Sequence, residues 1–362
     1  MEKVRFFFRT ILQKLKYNEW GKEGHLLLFD PRHYKSKYVK KTPTIIVYLP
    51  PDYYLGIHRY PVLYAHDGQN LFDEKTSFVG EWHLDDNINA LIAQKLLKGI
   101  IVVGIYNTGE QRIYDYTPTQ SNCKYGNNEG GHLREYAKFI VEELKPFIDK
   151  KFRTLRSRQH TGLMGSSLGG LASFYILGWY PKVFSKAACL SPSFWWDHVR
   201  VVKDIQDGSL VFPKDSKIYI DGGWLEGDDE GNMVWFMREV YVALKELGLQ
   251  DFYNIFYHED PQGMHNESAW ARRGKMPITY LYGKFCDKVR ELSYALNPKN
   301  NMHVIPIAQL AHEMNFTALE AEMTTNNSEI AIVDNGTVQI KKPGHDFKVH
   351  IAFADKNITV PE

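Results

Sequence analysis

At 362 residues the chain amounts to about 2.4 average domains of roughly 150 residues, although a single α/β domain can reach about 250. Hydrophobic residues at 44% and charged residues at 24% exclude wholesale disorder, and 44 Lys+Arg against 43 Asp+Glu (formal net charge +1) exclude a generalised nucleic-acid footprint. No apolar run approaches the roughly 18 residues of a membrane span, and three scattered cysteines (Cys123, Cys189, Cys286) make neither a disulfide framework nor a zinc site.

The first 17 residues, MEKVRFFFRTILQKLKY, interrupt their apolar positions with Arg9, Lys14 and Lys16. That is no signal-peptide core, so residues 1–40 are read as an N-terminal helix or lead-in and a cytoplasmic location is expected. From residue 44 onward, apolar runs of strand length appear at Ile45–Leu49, Val62–Ala65, Ile100–Ile105, Thr161–Met164, Ala187–Leu190, Ile218–Ile220 and Tyr253–Tyr257. Their continuity suits a sheet covered on both faces. Helical periodicity fills the gaps at Leu84–Leu97, His132–Lys150, Leu168–Tyr180 and Met233–Leu247. Strands alternating with helices predict an α/β domain over 41–293, with a mostly parallel sheet and helices on both faces. Beyond it, Asn297–Asn301 reads as a linker, Asn335-Gly336 as a hairpin turn and Phe347–Phe353 as a strand. Residues 294–362 are therefore expected to form a small β appendage.

The chemistry concentrates in Gly165-Ser166-Ser167-Leu168-Gly169-Gly170. Gly165, Ser167 and Gly169 fit G-x-S-x-G, whereas Ser166 as nucleophile would need glycines where Met164 and Leu168 stand. A serine on a sharp strand-to-helix turn needs neighbours without side chains two residues away on either side. Such a serine also needs a base. In this architecture the base follows the last core strand, which places it at His265, in the loop before a helix starting near Glu267; His258 is the strand-borne competitor. The acid should follow the preceding strand, where Asp221, Glu226, Asp228, Asp229 and Glu230 cluster. Glu226 stands far enough into the loop to orient the imidazole. Two N–H donors must meet the oxyanion, and the candidates are the backbones of Leu168 and of Gln69, the latter in the His66-Asp67-Gly68-Gln69-Asn70 turn.

Six strings occur in order: HDGQNLFD at 66–73, VGI–YN at 103–107, YDYTP at 114–118, GSSLGG at 165–170, SPSFWW at 191–196 and HNESAWARR at 265–273. Together they resemble the putative-esterase family of α/β-hydrolases, which includes esterase D, enterochelin-type esterases, feruloyl esterases and mycolyltransferases. The resemblance covers about residues 40–290 and implies an α/β-hydrolase fold and a carboxyl-ester hydrolase with no metal or organic cofactor. It implies Ser167 as nucleophile, His265 as base, Glu226 as acid, and Gln69 and Leu168 as oxyanion donors. The acid loop, GGWLEGDDEGN, carries more charge than the family's usual short turn.

For substrate, the chain's 14% aromatic content matters. Trp195, Trp196, Trp224 and Tyr114 come from loops at the C-terminal edge of the predicted sheet, where ligands bind in open α/β folds. They suit an aryl, sugar-linked or siderophore-type small-molecule ester. An acyltransferase with the same triad, a serine peptidase, and a non-catalytic binding protein on the same scaffold are the alternative readings; no nucleic-acid partner and no membrane span is expected.

Overall fold

The computed structural model describes residues 23–77, 79–123, 127–227, 233–296, 303–326, 331–333, 337–339 and 348–360. The chain forms two compact units: Met1–Tyr219 with Asn266–Lys284, and Ile220–His265 with Phe285–Glu362. This partition cuts across the division at 293 that the sequence suggests.

In the first unit the predicted apolar runs become strands. These are β1 (His25–Phe29), β2 (Ile45–Leu49), β3 (Val62–His66), β4 (Ile101–Ile105), the short hairpin pair β5 (Gln120–Ser121) and β6 (Glu129–Gly130), β7 (Thr161–Ser166) and β8 (Lys186–Leu190). Apart from the hairpin, their order is β1-β2-β4-β3-β7-β8, continued by the first residues of β9 (Lys217–Gly223). β3 runs parallel to β4 and β7, and β7 parallel to β8, while β2 is antiparallel to β4 and β1. Every residue of β2, β3, β4 and β7 is buried, which is why these strands lack the alternation of a half-wet sheet. β1 is a sheet strand the sequence reading missed. Only Phe29 of its five residues is buried, so it carries the weak apolar signal of an edge strand.

The helix predicted over His132–Lys150 spans Leu133–Lys151, with a π-helical turn at Phe139–Leu144. Pro146 follows that turn, and having no N–H it cannot donate back to residue 142. The helix Leu168–Trp179 buries ten of its twelve residues, so it is apolar nearly all round.

The second unit joins β10 (Ile255–Asp260) and the helix Met233–Glu246 to the C-terminal strands. Of these, β11 (Glu291–Leu296), β12 (His303–Gln309), β13 (Asn315–Thr317), β15 (Ala331–Val333) and β16 (Thr337–Gln339) form one sheet; β14 (Glu322–Thr325), β17 (Val349–Phe353) and β18 (Lys356–Val360) form another. β15 and β16 pair antiparallel with Val333 opposite Thr337, bracketing the predicted Asn335-Gly336 turn, which lies outside the described residues, as does the Asn297–Asn301 linker. Phe316 packs 4.5 Å from Phe252 and 5.6 Å from Phe256, and the Glu259 N–H donates to Thr317 Oγ1 at 2.7 Å. Glu259 in turn takes a two-pronged bond from Arg238 at 2.7 and 2.8 Å, both side chains fully buried. The appendage is thus built into the unit that carries the 221–265 loops.

Candidate active site

Ser167 sits between β7 and the helix Leu168–Trp179 with φ 55° and ψ −125°. Positive φ in a residue with a Cβ stores about 1–3 kcal/mol of strain, which persists only if the surroundings enforce it. They do: its N–H donates to Leu190 O at 3.0 Å, and its carbonyl accepts from Leu171 and Ser193 N–H groups at 3.1 and 3.0 Å. A Cβ on Gly165 would stand 2.6 Å from the Gly169 backbone, and one on Gly169 would stand 3.1 Å from His66 Cβ. Gly165 is therefore required by backbone approach, whereas a side chain on Gly169 would crowd that of His66. The Ser167 hydroxyl lies 3.3 Å from that of Ser193.

The same unit holds both expected oxyanion donors. Leu168 opens its helix, and Gln69 is the middle residue of the 3-10 turn Gly68–Asn70, so each N–H falls in a first turn, where helix geometry supplies no acceptor. Asp67, which precedes that turn, has φ 54° and ψ 45°. Beneath it His66 is buried, its Nδ1 3.0 Å from the Tyr136 hydroxyl. Burial lowers its pKa to about 4; Asp67 opposes the shift and Arg112 reinforces it. A histidine depressed in the fold binds fewer protons there than when unfolded. Its contribution, about 3 kcal/mol at about 1.4 kcal/mol per pKa unit, is present above pH 6.5 and is lost as pH falls towards 4. Asp115, pushed up to about 6 by burial, acts with the opposite sign over part of that window. Urea midpoints of His66→Gln should fall less between pH 6.5 and 4 than those of the parent, since Asp115 is common to both. Equal falls would remove His66 as the source.

In the second unit, His265 Nδ1 lies 2.9 Å from Glu226 Oε2. Glu226 is almost fully buried, and its Oε1 accepts the Gly223 N–H at 2.7 Å. The two loops are tied by the Leu225 N–H to Gly263 O, at 3.0 Å, and a side chain on Gly223 would collide with Gly263. Of the other acids weighed, Asp221 is buried within β9, and Asp228, Asp229 and Glu230 lie outside the described residues. His258 is a buried strand residue of β10.

The aromatic expectation needs correction at two positions. Trp196 and Trp224 are each 1% exposed. Trp196 donates its indole N–H to Thr119 O at 3.0 Å, and Trp224 packs beside Trp235 and the Arg238 guanidinium. Large apolar rings whose faces are already covered offer nothing to a ligand. Trp195 and Tyr114 are half-buried. Sequence reading also missed Ser191, held at φ 43°, whose hydroxyl accepts from Trp270 Nε1 at 2.9 Å and Arg273 Nη2 at 3.1 Å. Its signal was present: the serine stands in SPSFWW and its donors in HNESAWARR.

A mostly parallel sheet whose β7 ends in a strained serine turn is the α/β-hydrolase fold, and solved structures match it. An IroE-like serine hydrolase from Shewanella oneidensis superposes with a TM-score of 0.58 at 22% identity, over 72% of this chain and 80% of its own. A ferulic acid esterase does so with 0.53 at 17% identity, over 72% and 98%. Residues 36–273 match the family model described as Putative esterase; the chain belongs to that family and is a carboxylic-ester hydrolase. Its relatives include the Bacillus subtilis (strain 168) protein YbbA, 25% identical over 66% of this chain and 92% of the relative. The ferri-bacillibactin esterase BesA of the same organism is 28% identical, over 53% and 68%. Among the described residues no helix is long and apolar enough to cross a membrane.

Proposed function

We propose that the chain is a serine esterase that works through an acyl-enzyme. His265 Nε2 takes the Ser167 hydroxyl proton as Oγ bonds to the ester carbonyl carbon, and the resulting oxyanion is met by the N–H groups of Gln69 and Leu168. The carbonyl–alkoxy bond then breaks, and the same proton passes to the departing alcohol oxygen. Water repeats the sequence, freeing the acid and restoring Ser167. Glu226 holds the imidazole with its Nδ1 protonated and offsets the charge of the imidazolium.

The observation that carries this reading is the positive φ of Ser167 between Gly165 and Gly169, a strained conformation that a merely structural turn has no need to maintain. Glu226 bonded to His265 supports it from the second unit. For substrate we infer a small ester bearing an aryl group, of phenolic-acid or siderophore type. Trp195 and Tyr114 are aromatic residues that are only partly buried, and relatives are named as ferri-bacillibactin and ferulic acid esterases.

A fluorophosphonate probe should give a single covalent adduct at Ser167, located by peptide mass mapping, and hydroxycinnamoyl or dihydroxybenzoyl esters should outcompete short aliphatic ones in blocking it. Labelling at another residue, or none, would sink the serine mechanism. Equal competition by aliphatic esters would sink the aryl preference alone.

A further inference from the structure

The oxyanion turn is held from outside itself. Asp67 occupies the left-handed region, which is unfavourable for a residue with a Cβ, and four hydrogen bonds converge on it. Arg112 Nε and Nη2 donate to its two carboxylate oxygens at 2.8 and 2.9 Å, and Asn107 Nδ2 donates to Oδ1 at 2.7 Å. The Asp67 N–H donates to the Tyr116 hydroxyl at 3.2 Å. Gln69, two residues on, is tied to the same segment: its Oε1 accepts the Asn107 N–H at 3.1 Å. Burial alone would raise the Asp67 carboxyl, but the charge and bonds of Arg112, with Asn107, hold it below the usual carboxylate range. Every anchor lies between residues 107 and 116.

We propose that Arg112 and Asn107 are positioning residues for the oxyanion hole: they latch Asp67 in its strained conformation and so fix the direction of the Gln69 N–H. The Arg112 fork is suited to this because it meets both carboxylate oxygens in one plane and so fixes the turn against both tilt and rotation. A lysine would supply charge at one point only. Neither side chain touches reacting atoms in this scheme. Their effect therefore falls on kcat, where a donor misplaced by about 1 Å forfeits on the order of 10²-fold.

This inference rests on the esterase reading above, so Ser167→Ala is assayed beside the test variants. Arg112→Ala should lower kcat for a p-nitrophenyl ester by about 10²-fold with KM within about twofold, and guanidinium at low millimolar concentration should restore most of the loss while sodium chloride at equal ionic strength does not. Arg112→Lys should recover only part. Asn107→Asp, which places a carboxylate where Asp67 needs a donor, should show the same kcat-selective loss without rescue. Should Arg112→Ala fold poorly, Asn107→Asp carries the decision on kcat against KM. Turnover near the parent level in both variants, or a loss that appears in KM alone, overturns the latch. An active Ser167→Ala would instead overturn the esterase mechanism on which it rests.

Discussion

Replacing Ser167 with alanine should lower kcat on a p-nitrophenyl ester by about 10⁶-fold, the scale on which loss of a triad serine acts in other hydrolases. The residue left behind would still have oxyanion donors and a binding surface, so turnover should stay above the uncatalysed rate by about 10³-fold. Stability should barely move, because alanine inherits the backbone conformation of φ 55° and ψ −125° and gives up only the 3.3 Å contact with Ser193. Glycine at the same position is the informative partner. It populates positive φ freely, so Ser167→Gly should be equally inactive yet more stable than the alanine variant by about 1 kcal/mol. Urea midpoints and steady-state kinetics on the two variants separate the hydroxyl from the strain that presents it. An alanine variant within tenfold of the parent kcat would end the nucleophile assignment, and a glycine variant no more stable than alanine would end the claim that strain is stored at the turn.

What could be read from the chain follows from how each feature is enforced. The central strands were legible because burial on both faces forces uninterrupted apolar runs, as in Ile45–Leu49 and Ile101–Ile105. The serine turn was legible because Gly165 lies against the backbone of Gly169, leaving no room there for a side chain. The pairing of Glu226 with His265 was suggested by the order of their loops along the chain, and what the structure adds is the 2.9 Å contact between the two side chains. Three things were not. β1 is an edge strand with one buried residue, so it has little periodicity to detect. Arg112 and Asp67 lie 45 residues apart and are ordinary surface types until folding pairs them. Thr317 lies 58 residues from Glu259, so nothing local says that a strand of the appendage completes the hydrogen bonding of β10. Trp196 and Trp224 fail for a further reason: a loop tryptophan buries its apolar area as readily in the fold as on a ligand, and sequence cannot say which.

The sharpest test of the second unit is Glu226→Gln, which should reduce kcat by about 10⁴-fold while the backbone stays in place. Two donors converge on this carboxylate: the Gly223 N–H on Oε1 at 2.7 Å and the His265 ring at Oε2, 2.9 Å away. A carboxamide has one oxygen and one NH₂ group, so it cannot present an acceptor at both of these positions. If its oxygen stays with Gly223, the NH₂ faces Nδ1 and favours the tautomer with Nε2 protonated, which is unable to take a proton from Ser167. If its oxygen turns to His265, the Gly223 N–H faces a donor inside the protein and stability should fall by about 1–3 kcal/mol. Either way the negative charge that offsets the imidazolium is gone. Glu226→Asp keeps the charge but withdraws it by one methylene, so it should fall between glutamine and the parent in kcat, at little change in KM. The pH profile adds a readout that a structural lesion lacks: turnover by the glutamine variant should climb with hydroxide concentration, as expected when base catalysis by the imidazole has been lost and solvent base substitutes for it. A glutamine variant within tenfold of the parent would end the assignment of Glu226 as the acid, since the 2.9 Å bond would then be orienting a histidine that does not need it.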